Sequence, residues 1–299
     1  MQVATCSSVA EVSEVPEGVI GLAQLALDRP LRHDDVLLLP RFALMGDTPY
    51  SEQQVTRLDR LIDDLNLDPL AFVVHIGDIT SGQGPCGDDW MRERKEQFAK
   101  IKHPFVLLPG DNDWTDCHRT GHAPTERLAH WRKLFCTREP RLGLEVQRGE
   151  YCEHVRWQAG GVLFVALNVQ GSNDNLGRTA AMDAEHFARR KAVLAWIDDS
   201  ERLFRQRKLS RLVLMMQANP FEKPRSGVNG FATLLERIKN LVAANPGAVI
   251  LVNGDSHLYR DDQPLPGLRR IEPWGSPIVS WLHGTIAGGE VRVRAAAPY

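Results

Sequence analysis

The sequence has few cysteines: five in 299 residues, with no Cys-x-x-Cys pair among them. The odd number argues against a complete disulfide framework, and the missing pair argues against a thiolate zinc site. Cys86 and Cys117 each follow a Gly-Asp dipeptide by a few residues, so they could lie near each other in loops at one edge of a sheet. The residues leave open whether they form a disulfide or remain two thiols, since a cytoplasm would keep them reduced.

The sequence also lacks a hydrophobic run of the roughly 18 residues that a membrane span requires. No Lys or Arg precedes Arg29, and Glu11, Glu14 and Glu17 interrupt the segment where a secretion signal would be apolar. We therefore expect a cytoplasmic protein without a transmembrane segment. A periplasmic or secreted location is the alternative if the true N-terminus differs from the one written here.

Charge of one sign does not dominate the chain, whose net charge is -2 with a pI near 6.6. Such a balance gives no general attraction to nucleic acid or to an anionic membrane. The chain has no Walker lysine motif and no G-x-S-x-G elbow, which argues against a P-loop nucleotide site and against a serine hydrolase of that type. The residues say nothing about the oligomeric state.

Four short apolar runs each end in Gly-Asp, and this pattern is the most informative in the chain. Val-, Ile- and Phe-rich runs closed by glycine are typical of buried strands that meet a tight turn. The aspartates then lie at the carboxyl ends of strands, where open α/β sheets bind ligands. Because close carboxylates repel one another, the pattern predicts a divalent-metal site. The four aspartates are Asp47, Asp78, Asp111 and Asp255.

Strand and helix patterns alternate from Phe42 onward, which predicts an α/β fold with a mainly parallel sheet. Ser51 followed by Gln54 predicts a capped helix start, and Pro124 predicts another. We interpret residues 1–40 as an N-terminal extension and residues 41–299 as a single domain. The proline-rich tail predicts antiparallel strands near 278–282 and 290–294 that close a second sheet.

The order of these motifs resembles that of the calcineurin-like metallophosphoesterases, which include the purple acid phosphatases. The resemblance covers residues 42–260 and implies a four-layer α/β/β/α sandwich of two mixed sheets flanked by helices. It implies that Asp78 bridges two metals, that Asp47 and His257 bind the first, and that the second is bound by three residues. Those three are Asp111, Gln217 and Asp255. The motifs that carry the resemblance are Gly46-Asp47-Thr48-Pro49, Gly77-Asp78, Gly110-Asp111-Asn112-Asp113, Gln217 after a strand, and Gly254-Asp255-Ser256-His257.

Several positions depart from the family pattern, and the departures predict a harder metal site. Asp111 replaces an asparagine, and Gln217 and Asp255 each replace a histidine ligand. Oxygen-rich ligation favours Mn²⁺, Mg²⁺ or Ca²⁺ over Zn²⁺, so we expect two such ions, although iron could also bind at the first position. Pro49 stands at a further histidine position. Tyr50 could supply a phenolate in its place, or it could be a turn residue that packs beside Pro49.

The resemblance also implies a mechanism in which two metals clamp a phosphoryl group and activate a hydroxide that attacks phosphorus. Asn112 stands where the family has the histidine that donates a proton or hydrogen bond to the substrate, and an amide cannot supply a proton usefully. We expect His118 to act as the acid and Arg119 to bind phosphate. Alternatively both are surface-loop residues and Asp116 pairs with Arg119. Asp113 is expected to orient its neighbour, and His75 to be a core histidine bonded to backbone.

These expectations favour a metal-dependent phosphoester hydrolase, either a phosphatase or a phosphodiesterase, that acts on a small-molecule phosphoester. The alternative is a weakly active or inactive protein of the same fold that serves as a metal- or ligand-binding module. The absence of the family's histidines at positions 49 and 112, where this chain has Pro49 and Asn112, favours that alternative.

Overall fold

The computed structural model describes residues 39–136, 139–222 and 227–299. Five of its helices have eleven or more residues: α1 Glu52–Leu65, α2 Asp88–Phe98, α3 Pro124–Phe135, α4 Ala180–Gln206 and α5 Ala232–Ala244. Its twelve strands are β1 Arg41–Met45, β2 Phe72–His75, β3 Phe105–Leu107, β4 Glu145–Val146, β5 Val155–Ala159, β6 Val162–Ala166, β7 Arg211–Met215, β8 Val249–Val252, β9 Arg260–Leu265, β10 Leu268–Glu272, β11 Leu282–Ala287 and β12 Glu290–Ala295.

The first sheet has the strand order β12-β11-β1-β2-β3. Strands β1, β2 and β3 run parallel, whereas β11 pairs antiparallel with both β1 and β12. Of the two strands predicted in the tail, 290–294 corresponds to β12, whereas β11 begins at Leu282, where the strand predicted at 278–282 was expected to end. The two observed strands are antiparallel, but the prediction that the tail closes a second sheet was wrong. They extend the first sheet, because β11 aligns with β1 from Arg41 opposite Thr285 to Leu44 opposite Leu282.

The second sheet has the strand order β4-β5-β6-β7-β8-β10-β9. Strands β6, β7, β8 and β10 run parallel to one another. Strand β5 pairs antiparallel with β6, and strand β9 pairs antiparallel with β10. The hairpin of β9 and β10 follows the last Gly-Asp and had no counterpart in the sequence analysis. Its strands are rich in charged residues, so they lack the apolar alternation by which a strand is usually found.

The two sheets pack face to face over a buried apolar core that includes Phe72, Phe164 and Ile250. A second core joins α4 and α5 to the outer face of the second sheet, and a third joins α1, α2 and α3 to the outer face of the first. The predicted four-layer α/β/β/α sandwich of two mixed sheets is thus confirmed. Ring pairs such as Phe42 on Phe72, 5.1 Å apart, fill the space between the sheets.

Helix starts follow the predicted signals. The Ser51 hydroxyl accepts a 3.4 Å hydrogen bond from the backbone nitrogen of Gln54 at the start of α1, and Pro124 begins α3. Residues 1–38 of the predicted extension lie outside the described residues, and the single domain for 41–299 stays a prediction. Within the part of the chain described, no helix is long and apolar enough to cross a membrane.

Candidate metal centre

The four predicted aspartates converge at one edge of the sandwich, where the parallel strands of both sheets end. The backbone nitrogen of Asp255, after β8, donates to the carboxylate of Asp47, after β1, at 3.1 Å. This bond joins the end of one sheet to the end of the other. Oxygens of Asp78, Asp111 and Asp255 all lie within 4.8 Å of one another, which is close enough to share one cation.

Unusual backbone conformations aim these side chains. Asp47, Asp78, Asp255 and His257 all have positive φ, between 50° and 73°. Non-glycine residues rarely adopt this left-handed region, and such residues cluster at functional sites. Each of the three aspartates directly follows a strand-ending glycine, so the turn bends the chain back and points the carboxylate toward the centre of the site.

Two glycines allow the carboxylates to pack against backbone. A Cβ on Gly110 would lie 1.9 Å from Oδ1 of Asp78, and a Cβ on Gly171 would lie 2.6 Å from oxygens of both Asp111 and Asp255. No side chain fits at either position. The glycine in the third Gly-Asp is therefore needed for this close approach, and Gly171 plays the same part from the second sheet.

Asp47, Asp78 and Asp111 are buried and Asp255 is half-buried, and none of the four is paired with a lysine or arginine among the described residues. Burial first, and neighbouring carboxylates second, raise the pKa of Asp47, Asp78 and Asp111 well above its ordinary value. The same causes raise the pKa of Asp255 to about 7. Among the described residues, no Lys or Arg forms a salt bridge with any of the four. Such a set of buried oxygen donors fits a hard divalent cation, which would supply the missing positive charge.

His257 is oriented as a metal ligand would be. Its Nδ1 lies 2.7 Å from the carbonyl oxygen of Ser276 and must donate to it, because a carbonyl can only accept. This leaves the Nε2 lone pair facing the site, 3.8 Å from Oδ1 of Asp47 and 3.2 Å from the hydroxyl of Tyr50. The same hydroxyl donates to Oδ2 of Asp78 at 2.9 Å, so Tyr50 reaches the site that Pro49 cannot.

Gln217 also reaches the site, but with its nitrogen. Its Oε1 accepts a 2.6 Å hydrogen bond from the backbone nitrogen of Gly171. Its Nε2 lies 3.1–3.3 Å from Asp78, Asp111 and Asp255 and donates toward them. The oxygen expected to bind the second metal is therefore engaged elsewhere in this conformation.

Asn112 and Asp113 organise the carboxylates. Nδ2 of Asn112 donates to Oδ2 of Asp78 at 2.9 Å and to the Tyr50 hydroxyl at 3.0 Å. The carboxylate of buried Asp113 accepts from the backbone nitrogens of Gly110, Asp78 and Ile79 at 2.7–3.1 Å. Asp113 thus fixes the loops after β2 and β3 to each other through their backbone, and not by a contact with its expected partner, the neighbouring Asn112.

A cavity of about 620 Å³ opens onto the carboxylates, and His118 and Arg119 line its wall. Both come from the short 3₁₀ helix Asp116–Thr120. The expected pairing of Arg119 with Asp116 is present at 2.7 Å, and the guanidinium also donates to the carbonyl of Gly82 at 3.1 Å. The two residues are therefore loop residues that also line the cavity, so the alternatives drawn from the sequence are compatible.

Arg178 lines the same wall and was missed by the sequence analysis. Its Nη1 lies 3.3 Å from Oδ1 of Asp116 and 2.7 Å from Nδ1 of His118. Two guanidiniums therefore share the single carboxylate of Asp116, which leaves a net positive charge on this wall. The Asn- and Gly-rich segment 171–177, after β6 at the same edge of the sheet, was the available signal for a site loop.

That segment contains a left-handed turn in which Ser172, Asn173, Asp174 and Asn175 all have positive φ. Buried Asp174 holds it in place, because its carboxylate forms ion pairs with Arg189 and Arg190 of α4. Burial alone would raise the pKa of Asp174, but the two arginines hold it below its ordinary value. This left-handed turn places the Ser172 hydroxyl so that it donates a 2.7 Å hydrogen bond to the carboxylate of Asp116.

His75 is a core histidine, as expected: its Nε2 lies 2.8 Å from the Thr48 carbonyl, and burial lowers its pKa to about 4.

The structure also contains two disulfides. Cys86 and Cys117 form a disulfide, which the sequence had left open, and both sulfurs lie 3.5 Å from the carbonyl oxygen of Asn112. Cys136–Cys152 had no sequence signal beyond the presence of its cysteines. Cys6 lies outside the described residues.

No protein-family model and no curated protein matches the sequence. Solved structures do match. A dimetal phosphatase from Danio rerio aligns with a TM-score of 0.50 and 11% identity, covering 87% of this chain and 99% of that one. Purple acid phosphatase PPD1 from yellow lupin seeds aligns with a TM-score of 0.48 and 12% identity, covering 86% and 51%. The strand order, the four layers and the first of these alignments agree: this chain has the calcineurin-like metallophosphoesterase fold.

Proposed function

We propose that the chain is a metal-dependent phosphoester hydrolase acting on a small-molecule substrate. The observation that carries the proposal is the convergence of four carboxylates, none paired with a lysine or arginine among the described residues, and Nε2 of His257 beside a cavity. The lining of that cavity also includes Arg119 and Arg178. A site that has both a cation position and guanidiniums suits a phosphoryl group, whose oxygens both can bind.

The residues at the predicted metal positions would hold the cation by hard oxygen donors and one imidazole, which favours Mn²⁺, Mg²⁺ or Ca²⁺; iron could also bind beside His257. When bound, such an ion neutralises the carboxylates, polarises the phosphoryl group and lowers the pKa of water. Tyr50 and Asn112 hold Oδ2 of Asp78 in place by hydrogen bonds of 2.9 Å each. Asn112 therefore orients a ligand and leaves proton donation to another residue.

We assign that donation to His118. Nδ1 of His118 lies 2.8 Å from the Thr115 carbonyl, which can only accept, and 2.7 Å from Nη1 of Arg178, which can only donate. Nδ1 therefore donates to Thr115 when the ring is protonated and accepts from Arg178 when it is neutral. Arg178 also donates to the Thr115 carbonyl at 2.9 Å. The acid is the imidazolium form of His118: Nε2 gives its proton to the leaving-group oxygen and the ring becomes neutral, while Arg119 binds the phosphate oxygens.

The test is hydrolysis of 4-nitrophenyl phosphate and bis(4-nitrophenyl) phosphate by the purified chain with Mn²⁺, Mg²⁺ or Ca²⁺. We expect turnover with at least one ion, and Asp78→Asn should reduce it by more than about 100-fold, because Asp78 lies between the two predicted cation positions. Asp59→Asn on the surface is the matched control and should keep full activity. Lack of turnover with every ion on both substrates would refute the proposal.

A second candidate, a metal- or ligand-binding module, is favoured by one observation. Asn112 turns inward to Asp78 and Tyr50, and Pro49 leaves the first cation position without one histidine. Such a protein would bind a cation and gain thermal stability from it without hydrolysing either nitrophenyl substrate. Melting temperature and turnover measured on the same preparation separate the two functions.

We also propose an oxidising compartment, such as a periplasm or the exterior of the cell, over the cytoplasm. Disulfides persist in such compartments, and the structure contains two of them. Mass spectrometry of alkylated protein from the native host tests this proposal. Four of the five cysteines should resist alkylation until they are reduced, and free thiols at Cys86 and Cys117 would argue for the cytoplasm.

A further inference from the structure

The amide group of Gln217 lies among three of the carboxylates that the metal site would use. Its Nε2 is 3.1 Å from Oδ2 of Asp78, 3.3 Å from Oδ1 of Asp111 and 3.2 Å from Oδ1 of Asp255. These three residues are the ones whose oxygens lie within 4.8 Å of one another. An amide NH₂ has two hydrogens and no lone pair to give, so it does not ligate a cation. The group therefore occupies the space between carboxylates where a second cation would bind.

The orientation of this amide is fixed from its other end. Oε1 of Gln217 accepts a 2.6 Å hydrogen bond from the backbone nitrogen of Gly171, and both residues are buried. Turning the amide over would set its NH₂ against that N–H and leave a buried donor without a partner. Gly171 cannot easily withdraw, because its backbone packs directly against the carboxylates of Asp111 and Asp255.

At the first cation position every group can give a lone pair to a cation. Nε2 of His257 keeps its lone pair, because Nδ1 donates to the Ser276 carbonyl at 2.7 Å, and its neighbour there is the Tyr50 hydroxyl at 3.2 Å. Asp47 and Asp78 present carboxylate oxygens to the same region, and Tyr50 adds a hydroxyl oxygen between His257 and Asp78. An imidazole and two carboxylates form an ordinary set of ligands for Mn²⁺.

We infer that the chain binds one divalent cation, at Asp47, Asp78 and His257, and that the amide of Gln217 takes the place of a second. This inference rests on the proposed function and narrows it. The amide shares the two hydrogens of its NH₂ group among three carboxylates, but it is neutral and adds no positive charge. The substrate's phosphoryl group is then bound by one cation and by the guanidiniums of Arg119 and Arg178, in place of a two-cation clamp.

The experiment counts Mn²⁺ per chain after equilibrium dialysis of the full-length protein, by inductively coupled plasma mass spectrometry. We expect one ion in the wild type and two in Gln217→His, because an imidazole at this position supplies the lone pair that the amide lacks. Gln147→His adds the same imidazole away from the carboxylates and should stay at one. Two ions in the wild type, or none, would overturn the inference.

Crystals of the wild type soaked in Mn²⁺ provide a second measurement if Gln217→His fails to fold. One anomalous peak in contact with Asp47 and His257 supports the inference, and a second peak between Asp111 and Asp255 overturns it. The outcome is separable from that of the proposed function. One bound ion without hydrolysis contradicts the function and keeps the inference, whereas two bound ions with hydrolysis do the reverse.

Discussion

The hydroxyl of Tyr50 donates a 2.9 Å hydrogen bond to Oδ2 of Asp78 and lies 3.2 Å from Nε2 of His257. Burial first, and then the charge of Asp78, raise the pKa of Tyr50 well above its ordinary value. In the cation-free protein the phenol is therefore neutral at pH 7 and acts as a donor. It takes part in the site from the position next to Pro49.

Tyr50→Phe should lower kcat/KM by about 10-fold, because Asp78 loses a hydrogen bond that holds its carboxylate in place. Steady-state kinetics on 4-nitrophenyl phosphate with saturating Mn²⁺ measure the effect, and circular dichroism checks the fold. Tyr259→Phe, outside the cavity lining, is the control. If Tyr50→Phe leaves kcat/KM unchanged, the hydroxyl has no part in orienting the ligand.

His118→Asn should lower activity selectively on substrates with poor leaving groups. General-acid catalysis contributes about 10²–10⁴-fold when the leaving oxygen needs a proton. We expect a loss of about 100-fold on an alkyl phosphate and a much smaller one on 4-nitrophenyl phosphate, whose leaving group departs as an anion. His122→Asn, which is not in the cavity lining, should change neither rate. Equal losses on both substrates would show that His118 binds substrate without protonating it.

The cation-free protein should lose stability as the pH rises from about 6.5 through 7. The pKa of Asp255 is raised to about 7 from an ordinary 3.8, so below pH 7 the folded state keeps a proton that the unfolded state has released, and it loses that proton as the pH passes 7. The unfolding free energy therefore falls as pH rises. Buried His75 and His154 and half-buried His283, with pKa lowered to about 4, titrate on unfolding only below their ordinary 6.5 and so do not oppose this trend.

Added Mn²⁺ should reverse the trend, because a cation replaces the protons and binds more tightly as the carboxylates ionise. Urea unfolding at pH 6.5, 7.2 and 8, with EDTA and with Mn²⁺, measures both effects. An unfolding free energy that rises with pH in EDTA would mean that these carboxylates are already ionised and paired in the cation-free protein.

The disulfide Cys86–Cys117 should affect both stability and activity. It closes 31 residues of chain, so its loss should cost about 3–4 kcal/mol, and its sulfurs contact the backbone of Asn112. Replacing both cysteines by serine should therefore also lower kcat. The same change at Cys136–Cys152, which closes 16 residues, should cost about 3 kcal/mol and leave kcat unchanged. Equal effects of the two pairs on kcat would contradict this assignment.

The sequence predicted the fold and much of the site because the evidence for both is local. Each of Asp47, Asp78 and Asp255 lies directly after the strand and glycine that position it, and strand ends in a parallel sheet necessarily meet at one edge. The tail was assigned to the wrong sheet because two short β-patterns show pairing with each other but do not show which neighbour completes the sheet.

The remaining features depend on contacts between distant residues. Arg178 reaches His118 across 60 positions, and Tyr50 reaches His257 across 207. Neither contact leaves a periodic pattern in the chain. The direction of the Gln217 amide depends on the backbone of Gly171, 46 residues away. The sequence could therefore place Gln217 at the second metal position, but it could not show whether its oxygen or its nitrogen faces the carboxylates.

Asp113 points to a wider property of this site. Its carboxylate receives three backbone N–H groups and holds the strand ends together without using the side chain of any predicted ligand. These two loops are thus held by a residue that is not a predicted ligand, whereas the carboxylate of Asp47 joins the two sheets and the amide oxygen of Gln217 holds Gly171. A predicted ligand whose side chain takes no part in these contacts, such as Asp255, is therefore the starting point for changing the metal without loss of the loop geometry.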